Sequence, residues 1–353
     1  MPTAIPTRVE DLKAEWFEAA LGEPVIAADI DQVIHGTATK VKLNLSLRRP
    51  GGGLERRTVW VKTGFEPHSK QIGTERVYAG ETFFYRNFGG QFDTRTPRCF
   101  FADSDDAGNS IIVLDDLGAI GARFIDPTVD GSPDLIAGGL EAIARYQAVT
   151  WMDPRLYAMD WLRQGGSFDA ADCLAWLYDP AHWDDYAQRP RFQLLAPELR
   201  NRERLCRAHT ALRRDWLRRE PWALSHGDAH YGQLYTLPDG EARLLDWQCV
   251  QVAHHMQDPA NLIVSGLSIT DRRAHARDLI AHYLQRLADF GVDKPPALDV
   301  AWSDFQVYLM HQVAWAMCLV EMQPEDVCCA ITNRASAAAM DYGTVDRLAA
   351  PTD

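Results

Sequence analysis

The chain has 353 residues, 46% of them hydrophobic, and carries a net charge of −13 from 36 basic and 49 acidic side chains. That length suits two domains, or one domain of two lobes, and the negative balance disfavours nucleic acid and anionic membranes as partners. The seven cysteines (Cys99, Cys173, Cys206, Cys249, Cys318, Cys328 and Cys329) are odd in number and lack zinc-type spacing, so they read as reduced, mostly buried thiols. The first residues hold no basic region followed by an apolar run, and the late apolar stretch 313–320 is too short to span a bilayer. The expectation is a cytoplasmic protein, monomer or homodimer, that meets neither membrane nor nucleic acid and acts on a small molecule.

Residues 9–21 have the periodicity of an amphipathic helix ended by Gly22. Strands are predicted at 25–34, 40–47 and 58–63, the second with strict polar–apolar alternation, and Pro50-Gly51-Gly52-Gly53 supplies the turn into the third. A helix over 74–88, with Thr74 as N-cap, leads to two short strands, 98–102 and 110–114, around an Asp/Gly-rich turn. This order describes a small antiparallel sheet with one helix packed on it, over residues 1–114. Residues 115–121 form a connector. From 122 to 353 the chain is mostly helical: Ser132-Pro133 opens a helix to about Trp151, and helical periodicity returns at 197–219, 271–290, 298–322 and 324–348. A hairpin over 223–248 interrupts this half. Its turn at 237–240 is expected to pair the strand before Asp228 with the strand before Asp246.

The hairpin concentrates the chemistry. Asp228 and Asp246 each follow a short apolar run, and Gln233 lies between them. Two carboxylates and an amide on adjacent loops can accept a hydroxyl proton and hold Mg²⁺, as phosphoryl transfer requires. Asp228 could instead cap a turn, and Asp246 could be a surface carboxylate at a strand end. His226 and His230 add a competing possibility, a dinuclear metal-dependent hydrolase using His-x-Asp-x-His with Asp246, His254, His255 and Asp258. The alternative for both histidines is to shape the loop by hydrogen-bonding backbone.

Lys62 sits inside an apolar strand, a costly place for an ammonium unless it is paired or binds an anion. Glu81, on the following helix, is the partner candidate; Glu75 is nearer the helix start. The alternative is an edge-strand lysine reaching solvent. His35-Gly36-Thr37-Ala38-Thr39 joins the first two strands and could drape backbone N–H groups over phosphates.

The run from His226 to Asp246 resembles the motif of the aminoglycoside phosphotransferase and choline kinase families, His-Gly-Asp-x-His-x-x-Asn followed by a strand and Asp-Phe/Trp-Glu/Gln. Asp246-Trp247-Gln248, together with Glu81-Thr82-Phe83-Phe84-Tyr85 and Thr96-Pro97-Arg98, is most similar to the ecdysteroid-kinase-like branch. The likeness extends over about residues 10–348. It implies an α+β, protein-kinase-like bilobal fold and an ATP- or GTP-dependent, Mg²⁺-dependent phosphotransferase acting on a small-molecule hydroxyl. By the same resemblance Asp228 is the catalytic base, Gln233 and Asp246 bind Mg²⁺, and His226, His230 and Asp258 brace the loop. Lys62 holds nucleotide phosphates, oriented by Glu81, with Gly36 and Thr37 in the covering loop. Leu114, Asp115, Asp116 and Leu117 meet the adenine through backbone groups. Gln233 stands where most members carry Asn, one methylene further out; maltokinase-like relatives carry Gln there too.

Aromatic residues crowd 150–190 and 298–345: Trp151, Trp161, Trp176, Tyr178, Trp183, Tyr186, Trp302, Phe305, Tyr308 and Trp315. If they line the acceptor pocket, a hydrophobic alcohol or a hydroxyacyl thioester fits; if they are helix packing, they say nothing about substrate. The acidic residues an aminoglycoside would want (Asp179, Asp184, Asp185, Glu321, Glu325 and Asp326) are scattered. A nucleotide-binding pseudokinase is the alternative that performs no chemistry.

Overall fold

Alternation dictates the first sheet. In the computed structural model the strand Thr39–Arg48 buries Thr39, Val41, Leu43, Leu45 and Leu47, while the intervening residues stay at least partly exposed. The structure describes residues 4–35, 38–66, 75–89, 96–163, 175–216, 219–319 and 322–349. The chain divides into two compact units, Met1–Ala122 and Arg123–Asp353.

The first unit is built on five antiparallel strands: β1 (Val25–Ile34), β2 (Thr39–Arg48), β3 (Leu54–Thr63), β4 (Cys99–Ser104) and β5 (Ser110–Asp115), in the order β1-β2-β3-β5-β4. Helix α1 (Ala14–Leu21) ends at Gly22, whose φ of 65° is the left-handed cap a glycine adopts without strain. The amphipathic segment predicted over 9–21 is broken: a 3₁₀ turn at Val9–Asp11 precedes α1, with Lys13 extended between them. The break lets Leu12 join Phe17 in the core with Val41, Leu43, Leu45, Val59, Val61, Ile111 and Val113. Strand β3 starts four residues earlier than its apolar pattern, because the ladder with β2 runs from Thr39↔Thr63 to Arg48↔Leu54. Arg49 and Arg57 there share the carboxylates of Glu23 and Glu55, a tertiary arrangement that compensates for charged strand residues. Helix α2 (Glu75–Asn87) packs on β4 and β5. Thr74, proposed as its cap, lies outside the described residues.

The second unit is mainly helical. Helix α3 (Pro133–Val149) starts as expected, with Ser132 Oγ accepting the Leu135 N–H at 3.2 Å. Then come α4 (Pro180–Ala187), α5 (Arg202–Ala211), α6 (Gln257–Gly266), α7 (Ile269–Asp289), α8 (Leu298–Tyr308), α9 (Met310–Trp315), α10 (Glu325–Tyr342) and α11 (Thr344–Ala349). The periodic stretch 298–322 is divided into α8 and α9, and 324–348 is divided at Gly343, where φ is 62°. No helix among the described residues is long and apolar enough to cross a membrane.

The predicted pairing within 223–248 is corrected. Strand β7 (Trp222–Ser225) pairs with β10 (Gln251–His254), a strand the sequence reading lacked. The hairpin across 237–240 joins β8 (Leu234–Thr236) to β9 (Ala242–Leu244), and β6 (Arg123–Phe124) adds to β8. The turn residues were right. The strand entering them begins after Gln233, so the loop 226–233 lies between two small sheets.

Candidate active site

In the first unit, β3 directs Lys62 towards α2. Lys62 Nζ lies 2.6 Å from Glu81 Oε2, and both side chains are buried. The ammonium in an apolar strand is therefore paired, as its position demanded. Beyond β5, Asp116 is fixed by its neighbours. Its carboxylate accepts from Trp60 Nε1 at 3.1 Å and from the Gly118 N–H at 3.1 Å, and Lys42 Nζ is 3.3 Å away. Asp116 thereby caps the 3₁₀ turn Leu117–Ile120. Leu114 and Asp115 belong to the β5 ladder, paired with Trp60 and Val59, and Leu117 is buried. Gly36 and Thr37 lie outside the described residues.

In the second unit the loop 226–233 is organised by one carboxylate. Asp258, on α6 and fully buried, accepts from Ser225 Oγ (2.9 Å), Tyr146 Oη (2.7 Å), His226 N (2.8 Å) and Gly227 N (3.1 Å). Burial and the Asp258 charge push the Tyr146 phenol well above its ordinary pKa, so it remains a donor. Gly227 has φ 79°, and a Cβ on it would lie 2.0 Å from the Cys249 carbonyl oxygen, so only glycine fits. His226 has both ring nitrogens engaged: Nε2–H donates to Leu245 O at 2.9 Å, and Nδ1 accepts the Asp228 N–H at 3.3 Å. His230 accepts the Gly232 N–H on Nδ1 at 3.1 Å, which leaves the proton on Nε2. Burial drives His230 down to about 3, so the ring is neutral. Neither histidine is arranged as a metal ligand, and the hydrolase alternative loses its cluster.

Asp228 is buried, with Oδ1 accepting from Trp315 Nε1 at 2.8 Å and Oδ2 3.9 Å from His230 Nε2. Burial, and then the charge of Asp246, push it up to about 8, against hydrogen bonds from Trp315 and Gln233. The Leu245 N–H donates to Gln233 O at 3.0 Å, which ties the entry of Asp246 to Gln233. Asp246 adopts φ 69° and ψ 67°, a left-handed conformation uncommon for a residue with a side chain. Such strain persists where the surroundings enforce it, typically at functional positions. The structure thus brings Asp228, Gln233 and Asp246 together, with His226, His230 and Asp258 supporting them.

His254 and His255 belong elsewhere. With Asp304 they place potential ligand atoms within 4.8 Å of one another, the metal-capable group found among the described residues. His254 Nδ1 accepts the Met256 N–H at 3.2 Å, which puts the ring proton on Nε2, the atom 3.7 Å from Asp304. A protonated nitrogen does not ligate.

Most of the aromatic residues pack on each other or on histidines. Trp183, Tyr186 and Phe192 form one edge-to-face cluster; in a second, Trp302 stacks on Phe305 and both meet Tyr342 edge-on; Tyr308 stacks on His254. Trp315 also lies against a histidine, His230, but its N–H bonds to Asp228, a contact the sequence does not show. Three of the acidic candidates have internal partners: Asp179 caps α4, Asp185 pairs with Arg189, and Glu325 pairs with Arg191. Glu321 lies outside the described residues. Cys99, Cys206, Cys249, Cys318, Cys328 and Cys329 are free thiols, and Cys173 is not among the described residues.

No protein-family model matches the chain, and no curated protein matches it in sequence. Solved structures do match. An ethanolamine kinase from Plasmodium vivax aligns with 90% of this chain and 83% of its own, at 10% identity and a TM-score of 0.54. The GDP complex of wild-type aminoglycoside 2'-phosphotransferase-IIIa aligns with 89% of this chain and 93% of its own, at 13% identity and a TM-score of 0.50. The chain has the protein-kinase-like bilobal fold of the aminoglycoside phosphotransferase and choline kinase-like proteins.

Proposed function

We propose that this chain, sharing that fold, is a cytoplasmic ATP- or GTP-dependent phosphotransferase that phosphorylates a hydroxyl of a small molecule. The observation that carries the reading is the convergence of Asp228, Gln233 and Asp246 on one loop system held by Asp258. The Lys62–Glu81 pair supports it independently. Within the fold we place the chain nearest the ecdysteroid-kinase-like branch, on Asp246-Trp247-Gln248.

The donor set fits Mg²⁺. Gln233 and Asp246 offer the oxygen ligands this ion prefers. Asp246 also raises Asp228, so two negative groups converge where a cation would relieve their repulsion. When bound, Mg²⁺ would neutralise charge on the transferred phosphoryl group and its leaving oxygen.

The remaining work falls to side chains of the chain itself. Asp228 aligns the acceptor hydroxyl and takes its proton; His226, Gly227 and Asp258 fix the loop from which it does so. Lys62 supplies a fixed positive charge to nucleotide phosphates, and Glu81 holds that ammonium in position. We read residues 115–121 as the hinge between lobes, with backbone groups of 114–117 meeting the nucleotide base, and Gly36 and Thr37 as part of the phosphate-covering loop.

The acceptor is a hydroxylated small molecule. The commitment of Asp179, Asp185 and Glu325 to internal partners gives no support to a polycationic sugar. Hydrophobic alcohols and hydroxyacyl thioesters are the first acceptors to test. The experiment is nucleotide turnover with Mg²⁺ against sterols, hydroxyacyl thioesters, choline, sugars and aminoglycosides. Turnover that depends on acceptor, Lys62 and Asp228 supports the reading; nucleotide binding without turnover for any acceptor favours a pseudokinase.

A further inference from the structure

Helix α9 is six residues long and ends on Trp315. A helix this short does not hold its own position by helical propensity. Its end is held from outside. Arg191 Nη1 donates to Ala316 O at 2.9 Å and to Cys318 O at 3.0 Å. His182 Nε2 donates to Met317 O at 2.8 Å. Three consecutive carbonyls after Trp315 are thus bound by side chains of the 180–191 segment, as a cation and donors at a helix C-terminus should bind them. Arg191 is itself 1% exposed, and its Nη2 is 2.6 Å from Glu325 Oε2 at the start of α10. The indole packs with Cys318, Val327, Cys328 and Ile331, and its ring lies 4.8 Å from that of His230.

An indole has one N–H and no acceptor. Buried, it needs a partner, and here the partner is Asp228 Oδ1 at 2.8 Å. Such a donor cannot remove a proton. It can only hold one carboxylate oxygen and fix the torsion of the side chain. The second oxygen, Oδ2, then keeps one direction, 3.9 Å from His230 Nε2, and Gln233 gives the carboxylate a further hydrogen bond.

Taking Asp228 as the base, as proposed above, we infer that Trp315 is its positioning residue. The indole N–H locks Oδ1 so that Oδ2 faces the acceptor hydroxyl, and the Arg191–His182 clamp on the carbonyls of 316–318 sets where the indole stands. The assignment rests on the phosphotransferase reading only for its consequence in catalysis; the contact can be tested without it.

The test replaces Trp315 in the full-length chain by benzothienylalanine, which keeps the ring shape and removes the N–H. With an acceptor that turns over, the expected result is a fall in kcat on the order of 10- to 100-fold, as a charge-assisted hydrogen bond is worth, with KM for nucleotide unchanged. An active wild type with an equally active isostere overturns the inference and leaves the phosphotransferase reading intact. Wild type and isostere both silent, with every acceptor, overturns that reading instead. The contact itself is read from the ¹H–¹⁵N indole resonance of Trp315, assigned with Trp315→Phe. It should move upfield in Asp228→Asn and change in Arg191→Met. A resonance indifferent to Asp228→Asn overturns the inference whatever the activity.

Discussion

Lys62 Nζ and Glu81 Oε2 are 2.6 Å apart, one on a strand and the other on the following helix, and both groups are withdrawn from solvent. Removing one partner of such a pair strands a buried charge, at a cost of about 3–5 kcal/mol. Glu81→Leu should therefore lower the unfolding free energy by that order, and Lys62→Met/Glu81→Leu should recover most of it. The double variant should still lack nucleotide turnover. Denaturant unfolding of wild type and the two variants measures this; a double variant that turns over nucleotide at the wild-type rate would remove Lys62 from the chemistry.

Asp258 collects donors from Ser225, Tyr146, His226 and Gly227 on its two oxygens. Asp258→Asn replaces one oxygen by an amide that can only donate, so at least one buried donor loses its acceptor. The expected penalty is about 1–3 kcal/mol for that group, together with a loss of turnover out of proportion to the stability change. Parallel melting and activity measurements check it. Full activity in a destabilised variant would reduce Asp258 to a packing role.

Gly227→Ala meets the Cys249 carbonyl at 2.0 Å and a φ of 79°. The change should abolish turnover while the first unit retains its structure. Hydrogen exchange should then report loosening confined to the 222–254 region. An active, normally protected Gly227→Ala protein would contradict the loop geometry.

A pH dependence follows from Asp228. Its folded pKa is raised to about 8 by burial and Asp246, against an unfolded value of about 3.9. Between those values the folded chain binds more protons than the unfolded chain, so the contribution to stability is full below the lower value and is lost as pH rises through the upper one. Metal-free Asp228→Asn should thus gain stability over wild type progressively from pH 5 to pH 9, by an order of a few kcal/mol. Thermal melts in chelator across that range test the sign; a difference that does not change with pH would contradict it.

Much of this was legible in the residues. Alternation in 40–47 marked β2, an isolated lysine among valines marked Lys62, and the spacing of Asp228, Gln233 and Asp246 marked the loop system. What escaped was set by distant partners. Strand β10 holds its place by pairing with β7, not by a pattern of its own. The division between α8 and α9 carries no Gly or Pro. Trp315 stood out only as one aromatic among ten, because the acceptor of its N–H lies 87 residues away. The role of Arg191 left no local trace at all, since every partner it binds comes from 316–325.

The central claim is tested most directly by following the labelled terminal phosphoryl group of ATP or GTP, with Mg²⁺, into an acceptor alcohol, for wild type and Asp228→Ala side by side. The account predicts a phosphorylated acceptor, identified by mass spectrometry, that disappears in Asp228→Ala while nucleotide binding persists. Nucleotide that never binds, or transfer that proceeds equally without the Asp228 carboxylate, would contradict it.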